Sequence, residues 1–208
     1  MARDYKPFIV EREEYAGYSR DRLIFYINCN DKRIPWLMVD LPVAGGICDE
    51  WYFQFTEGRP LRRGWSRVSL MAENRQAAKV KGFQAFTMSR FGILGFSERT
   101  RDTLKDLLEP YGEFLPVLYG ATVVYLYNCT TVYHAVDEER SDIFRLSSGL
   151  VADIKRAVVV RDRLGPAPIF RDALCPKKLI FRSSDFDAAV AAGIQGYVFI
   201  PFGVIVDA

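Results

Sequence analysis

The chain has 208 residues, half of them apolar and 14% aromatic, and its 28 basic and 26 acidic residues leave a net charge of +2. This composition supports a packed core and excludes a disordered chain. No apolar run approaches the roughly 20 residues that cross a bilayer, and the segment from Met1 to Pro7 lacks the apolar stretch of a secretory signal. The expected compartment is therefore the cytoplasm, with no membrane partner.

In chain order, Arg22 to Asn28 reads as a buried strand, rich in β-branched and aromatic residues. Ile34 to Val39 suggests a second, which Pro35 pushes to an edge or a strand start. Asp49 to Phe55 is aromatic-rich and fits either helix or strand. Glu57-Gly58-Arg59-Pro60 is a turn, and Val80 to Met88 suggests a strand interrupted at Gly82.

The pattern is firmer beyond residue 92. Ser97 is a good helix N-cap, with Glu98 at the positive end of the dipole. Leu104, Leu107 and Leu108 fall on one face, and Pro110 and Gly112 stop the helix. Strands are expected at Phe114 to Val117 and Thr122 to Tyr127, joined near Gly120. Further strands are expected at Val132 to Val136, Ile154 to Val160 and Leu179 to Arg182. Ser183 or Ser184 should cap a second helix, with Gly193 as its left-handed C-terminal residue. Tyr197 to Ile200 forms the closing strand. The stretches 96–117 and 181–201 thus repeat one structural phrase: an apolar lead-in, a serine cap, a short helix, a breaker and a strand.

These elements predict an α+β fold, a mostly antiparallel sheet with short inserted helices, in two lobes. A soft boundary near residue 90 divides a β-rich N-terminal lobe (1–90) from a C-terminal α+β lobe (91–208). No low-complexity linker marks it, so one compact domain fits equally.

Charge is distributed unevenly. Residues 59–97 hold eight basic residues and one acidic residue; residues 105–142 hold two basic and seven acidic residues. Separate faces would give a dipole that steers a charged partner, whereas faces folded together would neutralise each other.

Signs of catalysis are sparse. His134 is the single histidine and sits in a strand-like run. Cys48 or Cys129 with His134 and Asp137 could compose a Cys–His–Asp hydrolase only through convergence in space. Cys29, Cys48, Cys129 and Cys175 form no C-x-x-C pair, so no metal site is expected. No phosphate-binding loop and no dinucleotide fingerprint occur, so no catalytic residue and no cofactor are assigned. Asn128-Cys129-Thr130 matches a glycosylation sequon, which has no meaning without secretion.

Two segments suit recognition. The loop Gly58 to Arg67 mixes arginine with Trp65, residue types that dominate interface energies and also contact phosphates and bases. Arg62, Arg63 and Trp65 are its candidate contacts, and the alternative places Trp65 in the core. The acidic turn Asp137, Glu138 and Glu139 offers a patch for a basic partner. Asp137 and Ser141 would also cap backbone donors there.

Six of these segments also resemble a known family. They are Phe96-Ser97-Glu98-Arg99 before the leucine helix, Glu113 to Val117, the run from Tyr127-Asn128-Cys129 to Val136-Asp137, Arg140-Ser141, Pro168 to Arg171, and Ala192 to Phe199. In order and spacing they resemble the eleventh class of immunity proteins of bacterial polymorphic toxin systems, over roughly residues 90–202. The resemblance implies a protein that binds a cognate toxin domain and blocks it sterically, with no enzymatic activity of its own. Many nuclease inhibitors are strongly acidic, and this slightly basic chain departs from that pattern. A basic-patch module for nucleic acid or a phospholigand is the competing reading, against which the small net charge weighs.

Overall fold

β-branched and aromatic segments build two sheets in the computed structural model, which describes residues 7–28, 37–39, 54–65, 69–72, 85–88, 93–194 and 197–208. The strands are β1 (Phe8–Ile9), β2 (Leu23–Asn28), β3 (Leu37–Val39), β4 (Ser69–Ala72), β5 (Ala85–Met88), β6 (Ile93–Ser97), β7 (Gly112–Tyr119) and β8 (Thr122–Cys129). They continue as β9 (Val132–Tyr133), β10 (Asp142–Arg145), β11 (Val151–Val160), β12 (Ile169–Asp172), β13 (Ile180–Phe181) and β14 (Val198–Val206). Helix α1 (Glu98–Leu108) separates β6 from β7, and α2 (Ser183–Ala191) separates β13 from β14. The fold is α+β, mostly antiparallel, with short inserted helices.

One sheet runs β10-β11-β14-β2-β13-β12-β9, with β1 also paired to β14. The other runs β3-β4-β7-β8-β6-β5. Each draws on strands from both sides of residue 90: β2 lies between β13 and β14, and β3 to β5 join β6 to β8. The first sheet is apolar on both faces, which explains the unbroken hydrophobic run of β14. On one face Phe25 and Phe199 share a core with Phe96, Leu115 and Leu126 of the second sheet. On the other, Ile24, Val159, Phe170, Phe202 and Ile205 form a separate cluster. Aromatic rings meet edge-on around Phe199, where Phe25, Phe181, Phe186 and Tyr197 lie with centroids 5.2–6.1 Å away.

Helix α1 forms as expected. The Thr100 N–H donates to Ser97 Oγ at 3.2 Å. Thr100, Leu104 and Leu108 are buried, while Leu107 packs only at the margin of the core. Pro110 opens a 3₁₀ turn, Glu109–Tyr111, and β7 follows. The chain turns at Gly120, with φ of 59°, into β8.

The second copy of the phrase differs at its cap. Arg182, in extended geometry and without a side-chain capping bond, precedes α2, and Ser183 and Ser184 lie inside the first turn. Gly193 does take the left-handed conformation, with φ of 63°. Strand β14 does not stop at Ile200. It runs through Pro201 to Val206, because the pairing with β2 shifts between Pro201 and Gly203 and absorbs the missing N–H. Only Val132 and Tyr133 of the segment 132–136 form a strand, with Val136 in an isolated bridge to Val159. The interrupted strand expected from Val80 is described only over β5.

The first turn of α2 holds a buried carboxyl, Asp185, 3% exposed. Burial pushes its pKa up to about 7 from a usual value near 3.8. The folded state therefore holds its proton where the unfolded chain has released it. Stability from this group is full below about pH 4 and declines as the pH rises towards 7. Asp185→Asn should flatten that decline, so urea midpoints should favour the variant more at pH 8 than at pH 5. For the core, Leu108→Ala should cost roughly 2–5 kcal/mol, and the half-buried Leu107→Ala clearly less, in the same titration.

Candidate partner-binding surface

The arginine loop is built on a one-turn helical segment at residues 54–56, which buries Phe55 and Thr56. The chain then reverses at Gly58, whose φ of 67° suits glycine. A Cβ there would also meet the Val132 side chain at 2.9 Å. Leu61 is buried and anchors the next turn, a 3₁₀ segment from Arg62 to Gly64.

Glu113 of β7 holds this turn in place. Its carboxylate accepts from the Leu61 N–H at 2.7 Å and the Arg62 N–H at 3.1 Å. Asn128 of β8 stands opposite Glu113 in the ladder. Its Nδ2 donates to Glu113 Oε2 at 3.1 Å and to the Arg59 carbonyl at 2.8 Å. A charged acceptor with three donors is a strong, directional clamp. It converts a glycine-bounded loop into a fixed platform carried by a β-hairpin.

Arg59, Arg62 and Arg63 are exposed on that platform. Arg59 pairs with Glu57 at 2.7 Å, and Arg62 lies 3.8 Å from Glu109. Arg63 has no ion pair among the described residues. Glu109 and Glu113 of the acidic segment thus lie against the basic loop, the first near a guanidinium and the second on backbone N–H groups. Of the three arginines here (59, 62, 63), two have a glutamate partner among the described residues. Arg67 and most of the rest of the basic segment lie outside the described residues.

Trp65, the third candidate contact, also has a structural task. It is half-buried, its Nε1 donates to the Pro116 carbonyl at 2.8 Å, and its ring meets Phe55 edge-on at 6.0 Å. It secures the far end of the turn.

The acidic turn lies after β9. Asp137 Oδ1 accepts from the N–H groups of Glu139 and Arg140, and Arg140 Nε returns to Asp137 Oδ2 at 2.7 Å. The Arg140 N–H, then its side chain, hold the Asp137 carboxyl below its usual range. Ser141 Oγ accepts from the Val158 N–H. The capping roles expected of Asp137 and Ser141 are both present. Glu138 pairs with Arg145, and Glu139 is exposed.

The residues imagined for a hydrolase are differently employed. Cys129 is buried, and its Sγ lies 3.6 Å from the Ile169 carbonyl. Burial pushes its thiol up to about 11, away from the thiolate that a nucleophile needs. His134 is exposed, and Cys48 and Cys29 lie outside the described residues. Asn128 is fully buried, so its sequon is closed to a glycan. Among the described residues no three His, Cys, Asp or Glu side chains group as a metal site. No described helix is long and apolar enough to cross a membrane. No family model matches the chain, and no curated protein matches it.

Nothing in the sequence marks Glu113 and Asn128 as the clamp of this turn. Glu113 lies in a β-strand pattern, and its partners are some fifty positions away, beyond any local period. Glu113→Ala leaves the Leu61 and Arg62 N–H groups without their acceptor. It should cost about 1–3 kcal/mol. It should also speed tryptic cleavage after Arg59, Arg62 and Arg63 relative to the parent chain, read by limited proteolysis and mass spectrometry.

Proposed function

We propose that this chain is an immunity protein that acts by surface recognition, binding one cognate bacterial toxin domain and blocking it sterically inside the cytoplasm. The six segments that resemble the immunity family support the class. The observation that carries the mode of action is the clamped arginine turn. Ordering a loop on binding costs free energy, and a turn already fixed by Glu113 and Asn128 avoids that cost. Arg62 is 69% exposed and Arg63 lacks an acidic neighbour among the described residues, so both guanidinium groups are available to carboxylates of a partner.

The local charge favours a protein over a nucleic acid. Phosphate binding needs several uncompensated cations along a track, and two of the three described arginines of this turn, Arg59 and Arg62, already have glutamate partners. Trp65 contributes by holding the turn. In the acidic turn, Asp137 and Glu138 are paired within the chain, which leaves Glu139 as its available contact.

The test pairs this protein with the toxin domain encoded beside its gene. An Arg62→Ala/Arg63→Ala variant should keep its melting temperature and lose at least about 2 kcal/mol of affinity by calorimetry. Unchanged affinity moves the interface away from this turn. Tight binding to nucleic acid with a steep salt dependence, and none to the toxin domain, would support the basic-patch module in place of an immunity protein.

A further inference from the structure

Strand β14 has two unequal edges. On one, β2 pairs with it at six positions, from Val198↔Asn28 to Val204↔Leu23. The other edge is divided. Strand β11 covers Gly203 to Val206, and the two residues of β1 cover Val198 and Phe199. The hold of β1 is slight. The Phe8 N–H reaches the Tyr197 carbonyl at 3.4 Å, and the Val10 N–H reaches the Phe199 carbonyl at 2.8 Å. The strand beneath it is among the most fixed in the molecule, since Phe199 is fully buried at the centre of the aromatic cluster.

The arm reads this edge in the alternating manner of a strand. Pro7 is buried and Ile9 packs against the core, while Phe8 between them is 55% exposed. Two apolar side chains two residues apart therefore point inward, and the intervening one points to solvent. The next anchor is Tyr15, 3% exposed, within the 3₁₀ turn Glu13–Tyr15. Between Ile9 and Tyr15 the chain is half-buried or exposed, so residues 7–10 are held separately, and without them β14 would still be supported by β2 and, further along, by β11.

We infer that the β14 edge at Tyr197–Phe199 is a strand-acceptor site, filled in cis by residues 7–10 and able to take the same segment from a second copy of the chain. The ligand class is an extended peptide laid parallel to β14, with apolar side chains at alternate positions. Main-chain hydrogen bonds supply affinity, and the inward positions occupied by Pro7 and Ile9 supply selectivity. This site is independent of the arginine turn and of the toxin partner proposed above.

The test uses the full-length chain and a fluorescein-labelled peptide of its residues 5–12. Ile9→Asp in the chain weakens the arm in cis and leaves the acceptor intact. Freed of its internal competitor, that chain should bind the wild-type peptide about tenfold or more tightly than the parent chain does. A peptide carrying Ile9→Asp should not bind, and one carrying Phe8→Lys should bind like wild type. Equal binding to both chains, or indifference to the peptide changes, overturns the proposal. If the Ile9→Asp chain does not fold, hydrogen exchange on the parent decides. The Phe8 and Val10 amides should exchange through a local opening well before the β2–β14 ladder, and exchange of both together only on global unfolding overturns the proposal.

Discussion

The structure depends on the passage of the chain from β8 to β9, where it leaves one sheet and enters the other. Over Tyr127 to Tyr133 nearly every polar group is committed. Tyr127 Oη donates to the Leu108 carbonyl, and Asn128 holds Glu113 and the arginine turn. Arg171 of β12, fully buried, directs Nε at the Cys129 carbonyl and Nη1 at the Pro176 carbonyl, while its N–H donates to the Thr131 carbonyl. Tyr111 accepts from the Thr130 N–H and from the hydroxyls of Thr130 and Thr131. A guanidinium removed from water is tolerated only with partners in good geometry. Here one of those partners, the Cys129 carbonyl, belongs to the crossing segment, so a contact made by the guanidinium also ties the two sheets together.

Asp172 extends this logic to the next residue. It is 1% exposed, and its carboxylate accepts from the Ala135 and Val136 N–H groups and from Leu174 N–H. An adjacent arginine and aspartate, both buried, serve opposite sides of one strand: Arg171 gathers carbonyls and Asp172 gathers N–H groups. The frame that results is rigid where the arginine turn attaches. Recognition loops carried by fixed strands are a common division of labour between scaffold and site. The proposed immunity role draws on that division: the scaffold positions guanidinium groups, and the cognate toxin would supply the complementary carboxylates.

Local signals were legible in the sequence and distant ones were not. The Ser97 cap, the leucine face of α1, the reversals at Gly120 and Gly193 and the Asp137 turn each depend on residues within a few positions, and each was readable. The cap of α2 misled because two serines follow Arg182, and tertiary packing decided which residue leaves the helix. The strands β1, β4 and β10 span two to four residues, too short to establish a period. Pro201 suggested a strand end, but the register shift that accommodates it is a property of the partner β2. At the candidate surface, arginine and tryptophan drew notice by type, whereas Glu113 and Asn128, which shape that surface, showed themselves only through pairings across the fold. The bond that ties Trp65 to Pro116 is likewise invisible to any local pattern.

The position of β2 bears on how the protein is made. This N-terminal strand lies between β13 and β14, both near the other end of the chain. As synthesis proceeds, Leu23 to Asn28 emerges first and its neighbours last. At ribosomal rates the wait is on the order of 10 s. During that interval an apolar strand, Leu-Ile-Phe-Tyr-Ile-Asn, has neither of its lateral partners. The six-stranded sheet has all its strands by Cys129, so it is the unit able to form first, while the eight-stranded sheet closes only once β14 has emerged. The protein thus exposes an aggregation hazard when β2 emerges and covers it only with β13 and β14, and a nascent chain of this design has reason to engage a chaperone in the interval.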